Sequence, residues 1–579
     1  MNFTFDAHDS DELYTFLMKY SSPNQIESIP FLKAALILLL LHPLIIKRDD
    51  KIIKSSSSSS KLRSILLQVI GRCVRRANRA QLKTLPITVP LLLPHLPESH
   101  LFQKIVNDLH SDLAERFKKH QKDMSALYND PLAANLLIVF DYFYLINESF
   151  SAISYSGRLD ANLFYHPFPV AFDVCEDYAH WREQADNSTA TERHLPFAFC
   201  DYPWILNLEL KGTLLTASNG LKQRHHLQDA FFRAIFDGVQ STSLNLLVNR
   251  SRVLEDARDQ LLNHAEYQLA KHLRITFQGE EGVDEGGLKK EFFHLCFSEL
   301  FDNDLLLFKE VENHMFWFNN CESFVDYKFI GILFALAIYN GVLIGPRFPL
   351  LLFKKLLNWP ISLEDYSEID GILVNSIHKL DNSFTDLYFL VPGTNIELIP
   401  NGSNIPITRD NINTFIQKLS LYYLNDSIRP QFDAFRSGFE MVSSGSVIYG
   451  YRPDELSALT YGSDTFDIRD LADIAIYDGG YTNNCIQIHW LWNCLINRFT
   501  LKEQQDFLSF VTGSNRAPLA GLKQLKSFTI TKASAGDTER LPTAHTCFNT
   551  LLLPEYSSED KLRIKLRLAI THHEGFGLI

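Results

Sequence analysis

The sequence LPTAHTCFN occupies residues 541–549, near the C-terminus, and leads into an apolar run that a proline closes. Pro542 fixes its own φ angle and pushes Leu541 towards an extended conformation. The apolar run, residues 548–554, predicts a short buried strand. Cys547 is therefore expected where a loop meets a strand, so its sulfur can face solvent while its backbone is held. A positioned and accessible thiol suits a nucleophile better than a core residue.

Further stretches accompany this one along the second half of the chain. They are RITF at residues 274–277, GEEGVDEGG at 279–287, YDGGY at 477–481, FVTG at 510–513, RAP at 516–518 and GFGLI at 575–579. In this order, and together with residues 541–549, they resemble the signatures of HECT-type ubiquitin ligases. The resemblance extends from about residue 244 to the end of the chain.

The resemblance implies an α+β fold, a bilobal HECT domain preceded by a largely helical N-terminal region. The N-lobe is expected to be mostly helical with a small mixed subdomain, and the C-lobe to be α/β. The N-terminal region is predicted to contain a helical segment at 1–50, a serine-rich linker at 51–61 and a lead-in of unknown role at 62–242, with helices at 101–120 and 131–150. The HECT domain is predicted to contain the N-lobe at 243–462, a hinge at 462–464 and the C-lobe at 465–579. The small subdomain of the N-lobe is expected at about 370–452.

Composition limits the class of protein and its compartment. The 579 residues, of which 46% are hydrophobic and 21% charged, predict a soluble globular chain of several domains. A net charge of −13 argues against a nucleic-acid-binding protein, which usually carries a basic surplus. The eight cysteines form no CxxC pair, so neither a disulfide framework nor a zinc site is indicated, and reduced thiols fit a cytoplasmic or nuclear protein. The N-terminus lacks the features of a secretory signal, and the apolar run at 34–46 is too short to span a bilayer.

The glycine-rich stretch at 279–287 could be mistaken for a phosphate-binding loop. It carries Glu280, Glu281, Asp284 and Glu285, whose charges would repel phosphate, and it has no lysine at the P-loop position. The stretch instead predicts a tight turn before a helix that begins near Leu288. Neither a nucleotide, another cofactor nor a metal ion is predicted for this chain.

The resemblance assigns the chemistry to residues 545–547. Cys547 is implied as the nucleophile that carries ubiquitin as a thioester, with His545 and Thr546 in supporting roles. In an extended loop, residues two apart share a side, so His545 could lie near the thiol. The alternative is a packed or solvent-facing histidine without a catalytic role.

The last residues of the chain are apolar rather than polar. Phe576, fourth from the end, is implied as a tail residue that docks on the N-lobe during the second transfer. The alternative is that Phe576 packs within the C-lobe beside Leu566 and Ile570. A C-terminal helix is expected before Gly575, which would end it.

Two further sites follow from the resemblance. Docking of the conjugating enzyme is assigned to Phe415, Leu387 and Tyr388, with Phe415 as the exposed anchor, while Leu387 and Tyr388 could equally be core residues. The hinge is assigned to Gly462, Ser463 and Asp464, because a glycine and serine there follow an apolar helix and can absorb backbone rotation.

The function that the sequence predicts is therefore a HECT-type ubiquitin ligase. Its expected partners are ubiquitin, a ubiquitin-conjugating enzyme and protein substrates that the sequence does not identify, with no nucleic acid and no membrane span. The alternatives are a cysteine hydrolase of ubiquitin conjugates and an inactive ubiquitin-binding scaffold.

Overall fold

The computed structural model describes residues 99–152, 159–187, 197–237, 243–280, 287–301, 307–320, 323–380, 387–519, 521–525, 527–533, 536 and 538–572. The chain divides into two compact units, Met1–Leu214 and Leu215–Ile579. The helical segment predicted at 1–50, the serine-rich linker at 51–61, and the tail residue Phe576 lie outside the described residues.

The first unit is helical over most of its described residues. It contains α1 (Ser99–Lys119), α2 (Met124–Tyr128), α3 (Pro131–Ala152), α4 (Val174–Asn187) and the beginning of α5 (Leu208–Asp237). The helices predicted at 101–120 and 131–150 are confirmed as α1 and α3. Aromatic rings fill the core between them: Phe140 meets Trp204 edge-on with ring centroids 5.0 Å apart, and Phe117 stacks on Phe199 at 5.3 Å.

A parallel pair of strands lies near the start of the second unit. β1 (Ser243–Val248) pairs in register with β2 (His272–Phe277), and alternate residues of both strands are buried. The connection between them holds α6 (Val253–Leu261) and α7 (Glu266–Leu269). Helix α8 (Gly287–Leu300) follows β2, so the helix predicted near Leu288 is confirmed. A short hairpin then pairs β3 (Phe308–Glu310) with β4 (Phe316–Phe318).

The centre of the second unit is a pair of closely packed helices. The pair consists of α9 (Phe324–Tyr339), which is buried over nearly its whole length, and α13 (Arg429–Ser443). Three helices lie between them in the chain: α10 (Leu350–Leu356), α11 (Ser367–His378) and α12 (Ile412–Leu424). Helix α14 (Pro453–Tyr461) follows α13. Glycines set the close approach, since a Cβ at Gly331 would lie 1.9 Å from the Phe435 carbonyl oxygen. The two backbones can meet only because no side chain separates them.

Helix α5 is fixed to the end of α9. The Asn219 amide donates to the Tyr339 carbonyl oxygen at 3.1 Å, and the Tyr339 hydroxyl contacts the Asn219 and Ala270 carbonyl oxygens at 3.3 and 2.9 Å. These buried hydrogen bonds lie within the second unit, because the later part of α5, from Leu215 onward, belongs to it.

A four-stranded sheet organises residues 468–570, here named the C-terminal core. The strands are β5 (Ala475–Asp478), β6 (Phe528–Lys532), β7 (Thr543–His545) and β8 (Thr550–Leu553), in the order β5-β6-β8-β7. Strands β5, β6 and β8 are parallel, and β7 runs antiparallel to β8. The helices are α15 (Arg469–Asp473), α16 (Ile486–Asn493), α17 (Leu501–Thr512) and α18 (Glu559–His572). The mixed helix and sheet that the sequence predicted is confirmed.

Candidate active site

Cys547 lies in a turn between the last two strands of the sheet. Strands β7 and β8 pair antiparallel with His545 opposite Thr550, and residues Thr546–Phe548, here named the cysteine turn, form one turn of 3-10 helix between them. Leu551 and Leu553 of β8 are fully buried in the C-terminal core. The predicted placement of Cys547 where a loop meets a strand is thus confirmed for its backbone.

Phe548 departs from the buried run predicted at residues 548–554. Its side chain is 56% exposed, because Phe548 belongs to the 3-10 turn and the strand begins only at Thr550. Leu541, six residues before Cys547, is also exposed. Exposed apolar side chains therefore lie on both sides of Cys547 along the chain, Leu541 before it and Phe548 directly after it.

The extended loop expected at Cys547 is also corrected. His545 ends β7 with φ −111° and ψ 96°, but the next three residues form the 3-10 turn. Successive side chains in such a turn point about 120° apart, so the rule that residues two apart share a side does not hold here. His545 is exposed, whereas Thr546 is half-buried, and a Cβ built on Gly513 would lie 3.6 Å from the Thr546 Cβ.

Asn549 closes the cysteine turn in the left-handed region, with φ 48° and ψ 48°. Asparagine tolerates this conformation better than most residues. Its backbone N–H donates to the Thr546 carbonyl oxygen at 3.3 Å, and its carbonyl oxygen accepts from the Thr529 N–H at 3.0 Å. Its side-chain amide donates to the Ser527 carbonyl oxygen at 3.2 Å and accepts from Lys290 Nζ at 2.9 Å. The backbone N–H, the backbone carbonyl and both polar atoms of the Asn549 side chain therefore all have hydrogen-bond partners.

Two helices lie against the cysteine turn. They are α17 of the C-terminal core and α8, which carries Lys290. Neither Lys290 nor Asn549 was predicted as a site residue from the sequence. Asn549 stood within the quoted stretch, but its bond to a lysine 259 positions earlier gives no signal in a single sequence.

The predicted docking residues do not all lie at the surface. Leu387 and Tyr388 are 36% and 42% exposed, but Phe415 is only 3% exposed and packs edge-on against Phe389 with centroids 5.6 Å apart. The prediction that Phe415 is an exposed anchor is wrong, because it lies on the inward face of α12. Ile396, which the sequence analysis missed, is 45% exposed, and its carbonyl oxygen accepts from the Val391 N–H.

The predicted hinge follows helix α14. Gly462 has φ +80° and ψ 179°, and a Cβ there would lie 2.5 Å from the Ala517 carbonyl oxygen. The Asp464 carboxylate pairs with the Arg516 guanidinium at 2.6 Å. Whether this segment acts as a hinge stays a prediction.

The other described cysteines differ in their electrostatic environments. Burial raises the pKa of the thiols of Cys200, Cys296 and Cys494, for Cys494 to about 12. Cys485 is different: hydrogen bonds from the Thr482 side chain and backbone lower the pKa of its thiol. Cys485 is therefore a useful reference thiol in the same core as Cys547.

Neither a metal-binding cluster nor a membrane-spanning helix is present among the described residues. No group of three or more His, Cys, Asp or Glu side chains there is placed to hold a metal ion. Among the same residues, no helix combines the length and apolarity that a bilayer crossing requires.

Cysteine is a nucleophile that forms covalent intermediates in transferases and hydrolases, and Cys547 lies on a turn whose following residue, Asn549, is held by hydrogen bonds. Residues 294–579 match the family profile described as HECT-domain (ubiquitin-transferase). The chain therefore carries a HECT domain, and its resemblance to the HECT-type ubiquitin-protein ligases is confirmed.

Three relatives illustrate the similarity. "Probable E3 ubiquitin-protein ligase HERC4" of Homo sapiens is 32% identical over 474 residues, which are 76% of this chain and 44% of that protein. "Probable E3 ubiquitin-protein ligase HECTD2" of Mus musculus is 32% identical over 448 residues, covering 72% and 56%. "Probable E3 ubiquitin-protein ligase HUL4" of Eremothecium gossypii is 28% identical over 502 residues, covering 80% and 59%. The chain spans about half the length of these relatives.

Proposed function

We propose that this protein is a ubiquitin-protein ligase that accepts ubiquitin as a thioester on Cys547 and passes it to lysine side chains of substrates. The observation that carries the proposal is the position of Cys547 within the HECT-domain match, on a turn whose following residue, Asn549, is held by hydrogen bonds. A backbone that is held in place next to a nucleophile reduces the conformational entropy that must be lost before attack.

The chemistry needs no cofactor. The Cys547 thiolate attacks the thioester carbonyl of ubiquitin carried by a conjugating enzyme, the new C–S bond forms, and the conjugating enzyme's thiolate leaves. The amine of a substrate lysine then attacks the same carbonyl, a C–N bond forms, and the Cys547 thiolate leaves as the amine loses a proton to solvent. An ordinary thiol, with a pKa near 8.5, is ionised to a few per cent at neutral pH, which suffices for exchange between thioesters.

We place the docking surface for the conjugating enzyme at Leu387, Tyr388 and Ile396. All three are exposed apolar side chains within one short segment, and the backbone of that segment is held by bridges between Tyr388 and Pro406 and between Leu390 and Glu397. Exposed aromatic and aliphatic groups on a fixed backbone are suited to anchor a protein partner. The bilobal arrangement, the hinge at 462–464 and the docking tail at Phe576 belong to the same proposal.

The test uses the full chain with activating enzyme, conjugating enzyme, ATP and fluorescent ubiquitin. We expect a ubiquitin adduct that thiol reductants remove, its loss in Cys547→Ala, and a reductant-resistant ester in Cys547→Ser. Cys485→Ser is the matched control, because it removes the thiol with a lowered pKa from the same core and should leave the adduct unchanged.

The two alternative functions give different results in the same assay. An inactive scaffold would bind ubiquitin without forming any covalent adduct. A cysteine hydrolase would cleave ready-made isopeptide-linked ubiquitin chains without conjugating enzyme. Either result, or an adduct that persists in Cys547→Ala, would overturn the assignment.

A further inference from the structure

The side chain of Lys290, in helix α8, contacts Asn549, the residue that follows the cysteine turn. Its Nζ donates to Asn549 Oδ1 at 2.9 Å, across 259 positions of sequence. On its other side the Asn549 amide donates to the Ser527 carbonyl oxygen. This orientation of the amide pairs its oxygen with a donor and its nitrogen with an acceptor, and the flipped orientation would satisfy neither.

The position of Lys290 on its helix points to a role outside the helix. Lys290 is the fourth residue of α8, close to the N-terminal end. The helix dipole places partial positive charge at that end, so a cation there is unfavourable for the helix itself. The bond to Asn549 gives this cation an oxygen acceptor from outside the helix.

The backbone that carries Lys290 is also held in place. The next residue, Glu291, receives a hydrogen bond from Arg250 Nη1 at 2.5 Å, and the same guanidinium pairs with Glu280. Arg250 lies two residues after the end of β1, so the start of α8 is tied to the parallel strand pair. Lys290 therefore extends from a held backbone towards a held asparagine.

We propose that Lys290 is a positioning residue for the second acyl transfer, acting through Asn549 on the turn that carries Cys547. The inference rests on the proposed function. The bond exists only when the cysteine turn lies against α8. The docking surface proposed at Leu387, Tyr388 and Ile396 includes no residue of α8, so receipt of ubiquitin from the conjugating enzyme does not require this bond. The arrangement with the turn on α8 is thus assigned to the step after loading, when a lysine amine attacks the Cys547 thioester and the thiolate leaves.

The experiment separates the two transfers in single turnovers of the full chain. Cys547 is loaded with fluorescent ubiquitin, charging is stopped, and free lysine is added as the acceptor. For Lys290→Met we expect a loading rate near that of the wild type and a discharge rate about ten- to hundredfold lower, the range that one charge-assisted hydrogen bond supports. Rate constants are read per loaded molecule, so a smaller folded fraction changes only the amplitude.

Three further variants define the mechanism. Lys290→Arg should restore most of the discharge rate, since a guanidinium can also donate to the asparagine oxygen. Asn549→Gly keeps the left-handed backbone and removes the acceptor, so it should show the same defect, and the double variant with Lys290→Met should be no worse. Lys289→Met makes the same chemical change one residue away and should discharge normally.

The outcomes are distinct. Equal losses of loading and discharge, no loss of either, or no rescue by Lys290→Arg would overturn the positioning role. A wild-type chain that forms no reductant-sensitive ubiquitin adduct would instead overturn the proposed function.

Discussion

Ser463 and Ala517 exchange two backbone hydrogen bonds, with the Ser463 N–H 2.8 Å from the Ala517 oxygen and the Ala517 N–H 3.0 Å from the Ser463 oxygen. The Asp464 side chain reinforces this link through Arg516. All three predicted hinge residues thus contact the turn that follows α17, but Gly462 does so only through its carbonyl oxygen, which accepts from Arg516 Nη1 at 3.4 Å. If the C-terminal core rotates as a body, we expect Ser463 and Asp464 to move with it and the rotation to be absorbed at Gly462.

The first prediction concerns this glycine. With φ +80° and ψ 179°, Gly462 occupies a region that is accessible almost only to glycine, and a Cβ would also meet the Ala517 carbonyl oxygen. Gly462→Ala should slow thioester formation on Cys547 by more than about tenfold, because the substitution strains the link by about 1–3 kcal/mol and shifts the core. The measurement is the single-turnover rate of loading from charged conjugating enzyme.

Gly445→Ala is the matched control for the hinge. Gly445 also has a positive φ, +62°, but a Cβ there would meet nothing within 4 Å. Alanine there also takes a positive φ, but in open space and at a position outside the link. If the two variants load at the same rate, the pivot lies elsewhere, for example at Gly479 and Gly480.

The second prediction separates surface from core in the docking segment. Tyr388→Ala should weaken binding of the conjugating enzyme by more than about 1 kcal/mol and leave the melting temperature unchanged, because the ring is exposed. Phe415→Ala should lower the free energy of unfolding by about 3–5 kcal/mol, as the loss of a buried ring does, with normal affinity per folded molecule. Calorimetric titration and thermal melting provide the two readouts. A Tyr388→Ala variant that melts early yet binds normally would place this ring in the structural role instead.

Phe415 shows where prediction from sequence fails. Helix α12 carries apolar residues on more than one face: Phe415 and Leu419 are buried, whereas Leu421 is exposed. Periodicity alone cannot say which of these faces meets the core, because that depends on which neighbour covers it. The helices predicted at 101–120 and 131–150, by contrast, have ends within two residues of those of α1 and α3, since long helices have a local signature.

The candidate site divides in the same way. Cys547 and its strand follow from a few adjacent letters, because the turn, the nucleophile and β8 are contiguous. The partner of Asn549 does not, since Lys290 reaches it only after α8 and the C-terminal core have packed. The 3-10 turn at Thr546–Phe548 was also missed, because a proline at 542 favours extended backbone only near itself.

The third prediction concerns acid sensitivity in the first unit. His110 and His166 face each other with their Nδ1 atoms 3.0 Å apart, and His166 Nε2 is buried with no hydrogen-bond partner among the residues that the structure describes. Burial, and then the neighbouring His110, lower the pKa of His166 to about 3, and burial also lowers the pKa of His110. Between about pH 6.5, the unfolded value, and pH 3 the unfolded state binds the extra protons, so stability falls as pH falls.

Replacement of His166 should flatten this dependence. The wild-type free energy of opening should fall by up to about 1.4 kcal/mol per pH unit for each such proton below pH 6. Asp141 acts in the opposite direction, because burial raises its pKa to about 6. His166→Phe should keep the stacking against Phe117 and lose less stability between pH 7 and pH 5, as measured by hydrogen exchange of α1 and α3 amides. An unchanged slope in His166→Phe would show that the pair does not control this dependence.

The fourth prediction concerns the tail, which lies outside the described residues. Helix α18 ends at His572, and Leu562, Leu566 and Ile570 on its inward face are buried in the C-terminal core. Its outward face carries Ile564 and Leu568, both exposed. We expect Phe576 to act late, by docking on the N-lobe when loaded Cys547 faces the acceptor lysine, because such a contact is not needed to receive ubiquitin.

Deletion of residues 576–579 should therefore leave thioester formation near normal and reduce isopeptide formation by at least about tenfold, as loss of one buried aromatic contact allows. The measurement is a pulse-chase in which labelled ubiquitin is loaded on Cys547 and its transfer to lysine is followed. Phe576→Leu is the matched control, since it keeps an apolar side chain of smaller size and should lose less. If Phe576 instead packed beside Leu566 and Ile570, the deletion would destabilise the C-terminal core, so loading and discharge would fall together and the melting temperature would drop with them. That pattern, or no change in either transfer, would contradict a late docking role.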